Sequence, residues 1–287
     1  MRTPLGQAIL WCLPVLLALI GLTLWNPAGN FWKSVEPPKA QCEAYDPERL
    51  LADQRLTSAI YDQGKLDRMI REPQNTVSNL AYTIAGLAIM LAGRKPASIN
   101  LGLAGIFLGF GSGMYHASLL PEWRMVDILG VYAVLYLLLL VGCARGFSRI
   151  EQGLPAWLAA LAVWFAAIYT GVHRNDVRWL GLKVFDSTYV FVVAVAVGSL
   201  LAVLAYRRAA NRRRCGWALA SLAAAAAISF TGGIGDRFHG FWAAPNAFIQ
   251  GHAVWHTFGA VALVAAYEAY AAAGFDRSTL SVTTSPV

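Results

Sequence analysis

Five side chains of this 287-residue chain have the types and spacings that hydrolytic chemistry needs: His116, His252 and His256, with Ser112 and Asp127. His252 and His256 are four apart, so on a helix they share one face, about one turn from each other. That is the spacing at which two imidazoles bind one metal ion. Ser112 precedes His116 by the same four residues, and Asp127 follows it by eleven. Three neutral imidazoles are the ligand set of a catalytic zinc site whose remaining position is left to water. Such a zinc lowers the pKa of water to about 7. Asp127 can then take the water's proton and return it to a leaving amine. Ser112 can donate a hydrogen bond to a developing oxyanion. Tyr115 and Trp255 adjoin His116 and His256 and are candidates for shaping the substrate path.

Each of these residues also has a plainer reading. A histidine in a membrane helix, such as His116, commonly hydrogen-bonds a neighbouring helix. The His252/His256 pair by itself fits helix cross-linking as well as it fits metal binding. Asp127 at a helix start would be favoured by the macrodipole. Ser112 lies among Gly102, Gly105, Gly109, Gly111 and Gly113, a run of small residues that predicts close helix packing. The chemistry holds only if the chain brings the five residues to one place.

The elements that must do so are membrane helices. The chain is 57% hydrophobic and 14% charged, with mean hydropathy +0.50, whereas soluble domains carry about 25% charged residues. A net charge of +7 would suggest nucleic acid in a soluble protein. Here many basic residues cluster in short loops between apolar runs, which fits topology determination and not nucleic-acid binding. Cys12, Cys42, Cys143 and Cys215 form no CxxC pair or disulfide framework.

Eight apolar runs are long enough to span: Ala8–Trp25, Thr76–Ala92, Ala97–Leu119, Met125–Ala144, Pro155–Thr170, Val184–Tyr206, Trp217–Gly232 and His252–Ala272. Continuous runs of this length are helices. The first follows a basic start and is read as a retained anchor within residues 1–29. Residues 30–75 form the long polar segment, with short helices expected in Leu50–Ile70. Residues 76–273 form the helical core, and 274–287 a disordered tail.

Loop charges orient the bundle. With both termini inside, the inner segments hold Arg94, Lys95, Arg145, Arg149 and the cluster Arg207, Arg208, Arg212, Arg213 and Arg214. The basic residues of the long 30–75 segment count against this orientation, and the Arg207–Arg214 cluster decides for it. That cluster reads as a topology anchor near anionic lipid. Parity then puts the end of the Ala97–Leu119 span, the start of the next and the start of the last on one side. His116, His252, His256, Ser112 and Asp127 thereby share one depth, near the outer leaflet.

These residues match a family pattern. Ser112-x3-His116-x10-Asp127, followed by Gln250-x-His252-x-x-Trp255-His256, resembles the alkaline ceramidases. That family belongs to a superfamily of seven-helix membrane hydrolases that includes lipid-anchor remodelling proteins and adiponectin-type receptors. Cys42-Glu43 and Glu72-Pro73-Gln74-Asn75-Thr76-Val77-Ser78-Asn79 resemble two further family motifs, so the likeness covers Gln41 to Ala272. It implies an all-α membrane fold, a seven-helix core to which this chain adds one N-terminal helix. It also implies zinc on His116, His252 and His256, supporting catalytic roles for Ser112 and Asp127, and cleavage of the ceramide amide to a sphingoid base and a fatty acid.

The resemblance further implies calcium ahead of the first core helix, with Glu43 and Glu72 at two matching positions. Ala40 and Tyr45 stand where the family has an Asp and an Asn. Calcium needs six to eight oxygens, so Asp46, Glu48 or the Gln41 carbonyl would have to complete the set. The family's disulfide from the cysteine before Glu43 is not expected, since Cys143 and Cys215 fall at inner ends and Cys12 within the first span.

The expected partner is therefore a membrane lipid, with no nucleic acid and no protein partner indicated. Two alternatives stay open: another lipid amidase or esterase, and a non-catalytic receptor using zinc to tie helices. Asp236, Arg237 and His239 before the last span read as a solvated loop or as head-group contacts. Asp186-Ser187 reads as a cap or as a support to the site, and His173 as a loop residue.

Overall fold

The computed structural model describes residues 3–25, 69–93, 95–144, 153–173, 178–179, 182–183, 211–237 and 250–273, with part of 197–209. Its helices are α1 (Pro4–Trp25), α2 (Pro73–Ser78), α3 (Leu80–Ala92), α4 (Pro96–Ser118), α5 (Pro121–Ala144), α6 (Gly153–His173), α7 (Arg212–Arg237) and α8 (Gly251–Ala272). A two-residue hairpin, β1 (Arg178–Trp179) against β2 (Leu182–Lys183), follows α6. The protein is an all-α membrane protein. Among the described residues, six helices are long and apolar enough to cross a bilayer, with α2 and α3 counted as one stretch. The Val184–Tyr206 run lies mostly outside the described residues, and its described part, from 197 onward, is helical. The polar segment up to residue 68, with Cys42 and Glu43, and the tail from 274 also lie outside them.

Proline opens four of the described helices, α1 at Pro4 among them. Pro73, Pro96 and Pro121 each open a helix, where the missing N–H costs nothing and φ is already helical. Pro121 moves the start of α5 upstream of the expected Met125, with Glu122 in its first turn. Asp127 is therefore more than a turn inside the helix. The macrodipole reading of Asp127 loses its basis, because that field fades beyond the first turn.

Between α4 and α5 the chain reverses in two residues. Leu119 takes the left-handed conformation at φ 59°, and its N–H bonds the Tyr115 carbonyl at 2.5 Å. α7 likewise starts earlier than expected and takes Arg212–Arg214 into its first turn. Basic groups there oppose the helix dipole. The Asn211 side chain offsets this by accepting from the Arg214 N–H at 2.9 Å, and Glu268 of α8 pairs with the Arg214 guanidinium at 2.8 Å. His173, expected in a loop, is the last residue of α6, its ring 4.6 Å from that of Tyr169 one turn back.

Small residues let these helices touch backbone to backbone. A Cβ on Gly102 would stand 2.6 Å from the Gly86 carbonyl oxygen, and one on Gly109 would stand 2.7 Å from the Thr83 amide. The α3–α4 seam admits only glycine at these positions, a packing that membrane helices use because lipid gives no hydrophobic drive to associate. α4 packs in turn on α5, α5 on α6, and α1 on α3. α8 pairs with α7 and also touches α2, α3 and α5, which closes the bundle around its own N-terminal turns. Tyr82, Leu101, Tyr132, Leu137 and Tyr267 fill the centre. The lipid-facing surface is a stripe of exposed Leu154, Leu158, Leu161, Phe165 and Ile168 on α6, with most of the large side chains of α1.

Candidate metal and catalytic centre

Two helix ends meet at the three histidines. His116 lies in the last turn of α4, and His252 and His256 lie in the first turns of α8. His116 and His256 are buried, at 3% and 6% exposure, and His252 is half-buried. Their ring centroids are 4.8, 5.0 and 4.5 Å apart. One potential ligand atom from each lies within 4.8 Å of the other two. The Nε2 atoms of His116 and His252 are 3.2 Å apart. A tetrahedral zinc with Zn–N of about 2.0–2.1 Å separates its nitrogens by about 3.3 Å, so this pair already has the spacing of ligands sharing one ion.

The outer nitrogens explain why the inner ones are turned toward each other. His116 Nδ1 lies 2.6 Å from Glu72 Oε2. A carboxylate only accepts, so Nδ1 carries the proton and Nε2 keeps its lone pair. His256 Nδ1 lies 3.0 Å from Ser78 Oγ, whose own hydrogen goes to the Asn75 carbonyl at 2.9 Å. Ser78 therefore accepts from His256, and Nε2 of that ring too is left as a lone pair. Neutral imidazoles with converging lone pairs are the donor set of a metal site.

Glu72 holds His116 by its backbone as well. Its N–H bonds the His116 carbonyl, and the Arg71 N–H bonds the Ala117 carbonyl, both at 3.1 Å. These carbonyls lie at the buried end of α4, where no intrahelical donor remains. Burial works to raise the Glu72 carboxyl, but the hydrogen bonds it accepts from His116 and Asn75 hold it below the ordinary value.

Ser112 is buried at 1% exposure, one turn before His116 on the same helix. A Cβ on neighbouring Gly111 would meet Val126 Cγ1 at 2.7 Å and the Asp127 amide at 3.5 Å. This close α4–α5 approach brings half-buried Asp127 beside the Ser112 turn. Tyr115 is buried with its ring 5.1 Å from that of His116, and the Trp255 ring lies 6.1 Å from His252. Ser229 of α7 ties the Trp255 carbonyl at 3.0 Å.

Two contributors were not expected from the residues. Ser78 was seen only as part of a motif, and a serine gives no sign in sequence of which distant ring it meets. Tyr82 of α3 stands edge-on to His256, ring centroids 6.4 Å apart. Its place beside the site depends on Gly259, which leaves room for the phenol. Glu72, expected near calcium, has its Oε2 on His116 and on the Asn75 amide, the latter at 3.1 Å. Asp186, Ser187 and His239 fall outside the described residues, as do the side chains of Asp236 and Arg237. Cys12 and Cys215 are buried and in no disulfide.

A helical membrane bundle with a buried group of three histidines able to hold a metal ion defines the class. The family model for ceramidases matches residues 65–279, most of the chain and all of the site, and the protein belongs to the ceramidase family. No curated protein and no solved structure matches it. Membership supports a ceramide-hydrolysing activity, that of a hydrolase on an amide bond with a lipid substrate. The match begins after α1.

Proposed function

We propose that the protein is a zinc-dependent intramembrane amidase that cleaves ceramide or a ceramide-like lipid to a sphingoid base and a fatty acid. The observation that carries this reading is the 3.2 Å approach of the His116 and His252 Nε2 atoms beside His256, with outer nitrogens engaged by Glu72 and Ser78. His116, His252 and His256 would hold the ion. Zinc in such a site supplies Lewis acidity and lowers the pKa of water to about 7.

The remaining work falls to the chain's own groups. Asp127 would accept the proton of the attacking water and deliver it to the amine nitrogen as the amide C–N bond breaks and the acyl C–O bond forms. Ser112 would donate to the oxyanion that develops on the acyl carbonyl. Tyr115 and Trp255 would line the approach of the acyl chain. The site lies at helix ends, so a lipid entering sideways between helices would present its amide at the right depth. We place the site toward the outer leaflet, with both termini inside, from the loop charges.

Fatty acid release by the purified protein from a ceramide series, with and without chelator, tests the reading. Release that chelator stops and zinc restores is expected. Release unaffected by exhaustive chelation overturns the zinc assignment, and cleavage confined to ester or other N-acyl lipids overturns the substrate.

A further inference from the structure

His116 and His256 belong to helices far apart in the chain, yet the outer nitrogen of each ends on one short stretch, the six-residue helix α2 and the residue before it. Glu72 immediately precedes α2 and takes His116; Ser78 is the last residue of α2 and takes His256. Asn75 joins the two. Its side-chain amide donates to Glu72 Oε2 at 3.1 Å, and its carbonyl accepts from Ser78 Oγ at 2.9 Å. The path from one imidazole to the other is thus unbroken: His116 Nδ1–H to Glu72, Asn75 amide to Glu72, Ser78 hydroxyl to Asn75, His256 Nδ1–H to Ser78.

Six residues are too few to hold a helix alone in water or at an interface. α2 takes its shape from docking on α4, through the Glu72 and Arg71 amides and through Asn79. The Asn79 amide also bonds the Asn75 carbonyl at 2.9 Å. Asn79 is fully buried against Gly113, where a Cβ would stand 3.7 Å from its own.

We propose that Glu72, Asn75 and Ser78 form one positioning unit that fixes the proton arrangement of two metal ligands at once, and so sets the protein's affinity for its metal. The proposal rests on the reading of the three histidines as ligands of one ion. Glu72 is the stronger arm, because a short charge-assisted bond to a carboxylate raises imidazole basicity more than a bond to a hydroxyl does. Asn75 acts only through Glu72, since its link to Ser78 uses the backbone carbonyl that any residue retains.

The test is zinc(II) affinity of the full-length protein in detergent, by competition with a chromophoric chelator, with thermal unfolding of each metal-free form measured alongside. Glu72→Gln should weaken zinc binding about 10–100-fold and Ser78→Ala about tenfold, while Ser78→Thr, which keeps the hydroxyl, stays near wild type. Asn75→Ala should weaken binding alone but add nothing in the Glu72→Gln background. Wild-type zinc binding with Glu72→Gln and Ser78→Ala within about twofold of it overturns the proposal, whatever happens to unfolding. So does a Glu72→Gln protein that keeps zinc affinity but loses calcium(II) binding, since the carboxylate is then a calcium ligand. A wild type that binds no zinc overturns the three-histidine reading itself, and this proposal with it. Should Glu72→Gln not fold, the contrast between Ser78→Ala and Ser78→Thr decides.

Discussion

The two ends of α8 both put ionisable groups inside the bundle, and they do it in opposite ways. At the C-terminal end, Glu268 meets Arg214 of α7 at 2.8 Å, and the Cys215 thiol leans on the Ala269 carbonyl. Each charge there has its opposite, and the pair is complete without any further species. At the N-terminal end, His252 and His256 meet His116, and the two outer nitrogens resolved by hydrogen bonding are occupied. The inner nitrogens thereby turn into a common space, and the three rings form a group that could hold a metal ion. Burying such acceptors is costly unless something satisfies them, and a cation does. Groups of opposite charge tie helices together, whereas ligand atoms of one kind turned toward each other can hold a metal ion.

That contrast can be broken at either end, with effects of very different size. His252→Ala or His256→Ala should abolish zinc retention and amide cleavage together. Zinc stoichiometry near one in either variant, read by elemental analysis, removes that residue from the ligand set. Asp127→Asn should retain zinc yet lose about 10²–10⁴-fold in turnover, the usual worth of a positioned acid–base group; wild-type fatty acid release would strike it from the mechanism. Ser112→Ala should cost about 10²–10³-fold in kcat with zinc still bound, the scale of one oxyanion donor, and an unchanged kcat returns Ser112 to the role of small-residue packing. At the other end, Glu268→Gln should lower stability by about 1 kcal/mol, since both side chains are partly solvated, and leave zinc affinity and turnover alone. A loss of zinc in that variant would mean that the two ends are coupled along α8.

The grouping of the candidate residues was largely legible before any fold was known, because spacing along a helix is a local property. Ser112 and His116 share a face by their four-residue offset, as do His252 and His256. Element boundaries were less legible. Asp127 looked like the start of α5 until Pro121 and the two-residue reversal at Leu119 were seen to start the helix earlier. Arg212–Arg214 looked like a loop because their cost at a helix N-terminus is offset by Asn211 and by Glu268, 54 residues away in the case of Arg214.

By itself, then, the sequence determined the membrane class, the number and order of apolar runs, and the expectation that His116, Asp127, His252 and His256 belong to one end of the bundle. Hydropathy and parity are additive along the chain, and neither needs a contact to be known. Only the tertiary structure decided how the outer shell is built. That Glu72 turns to His116, that Ser78 receives His256, and that Tyr82 enters beside them through the gap at Gly259 are facts about pairs separated by 44 or more residues. Such pairs depend on which glycines let which backbones approach, and a hydrogen bond is settled within tenths of an ångström. A periodicity along one helix carries no information at that scale.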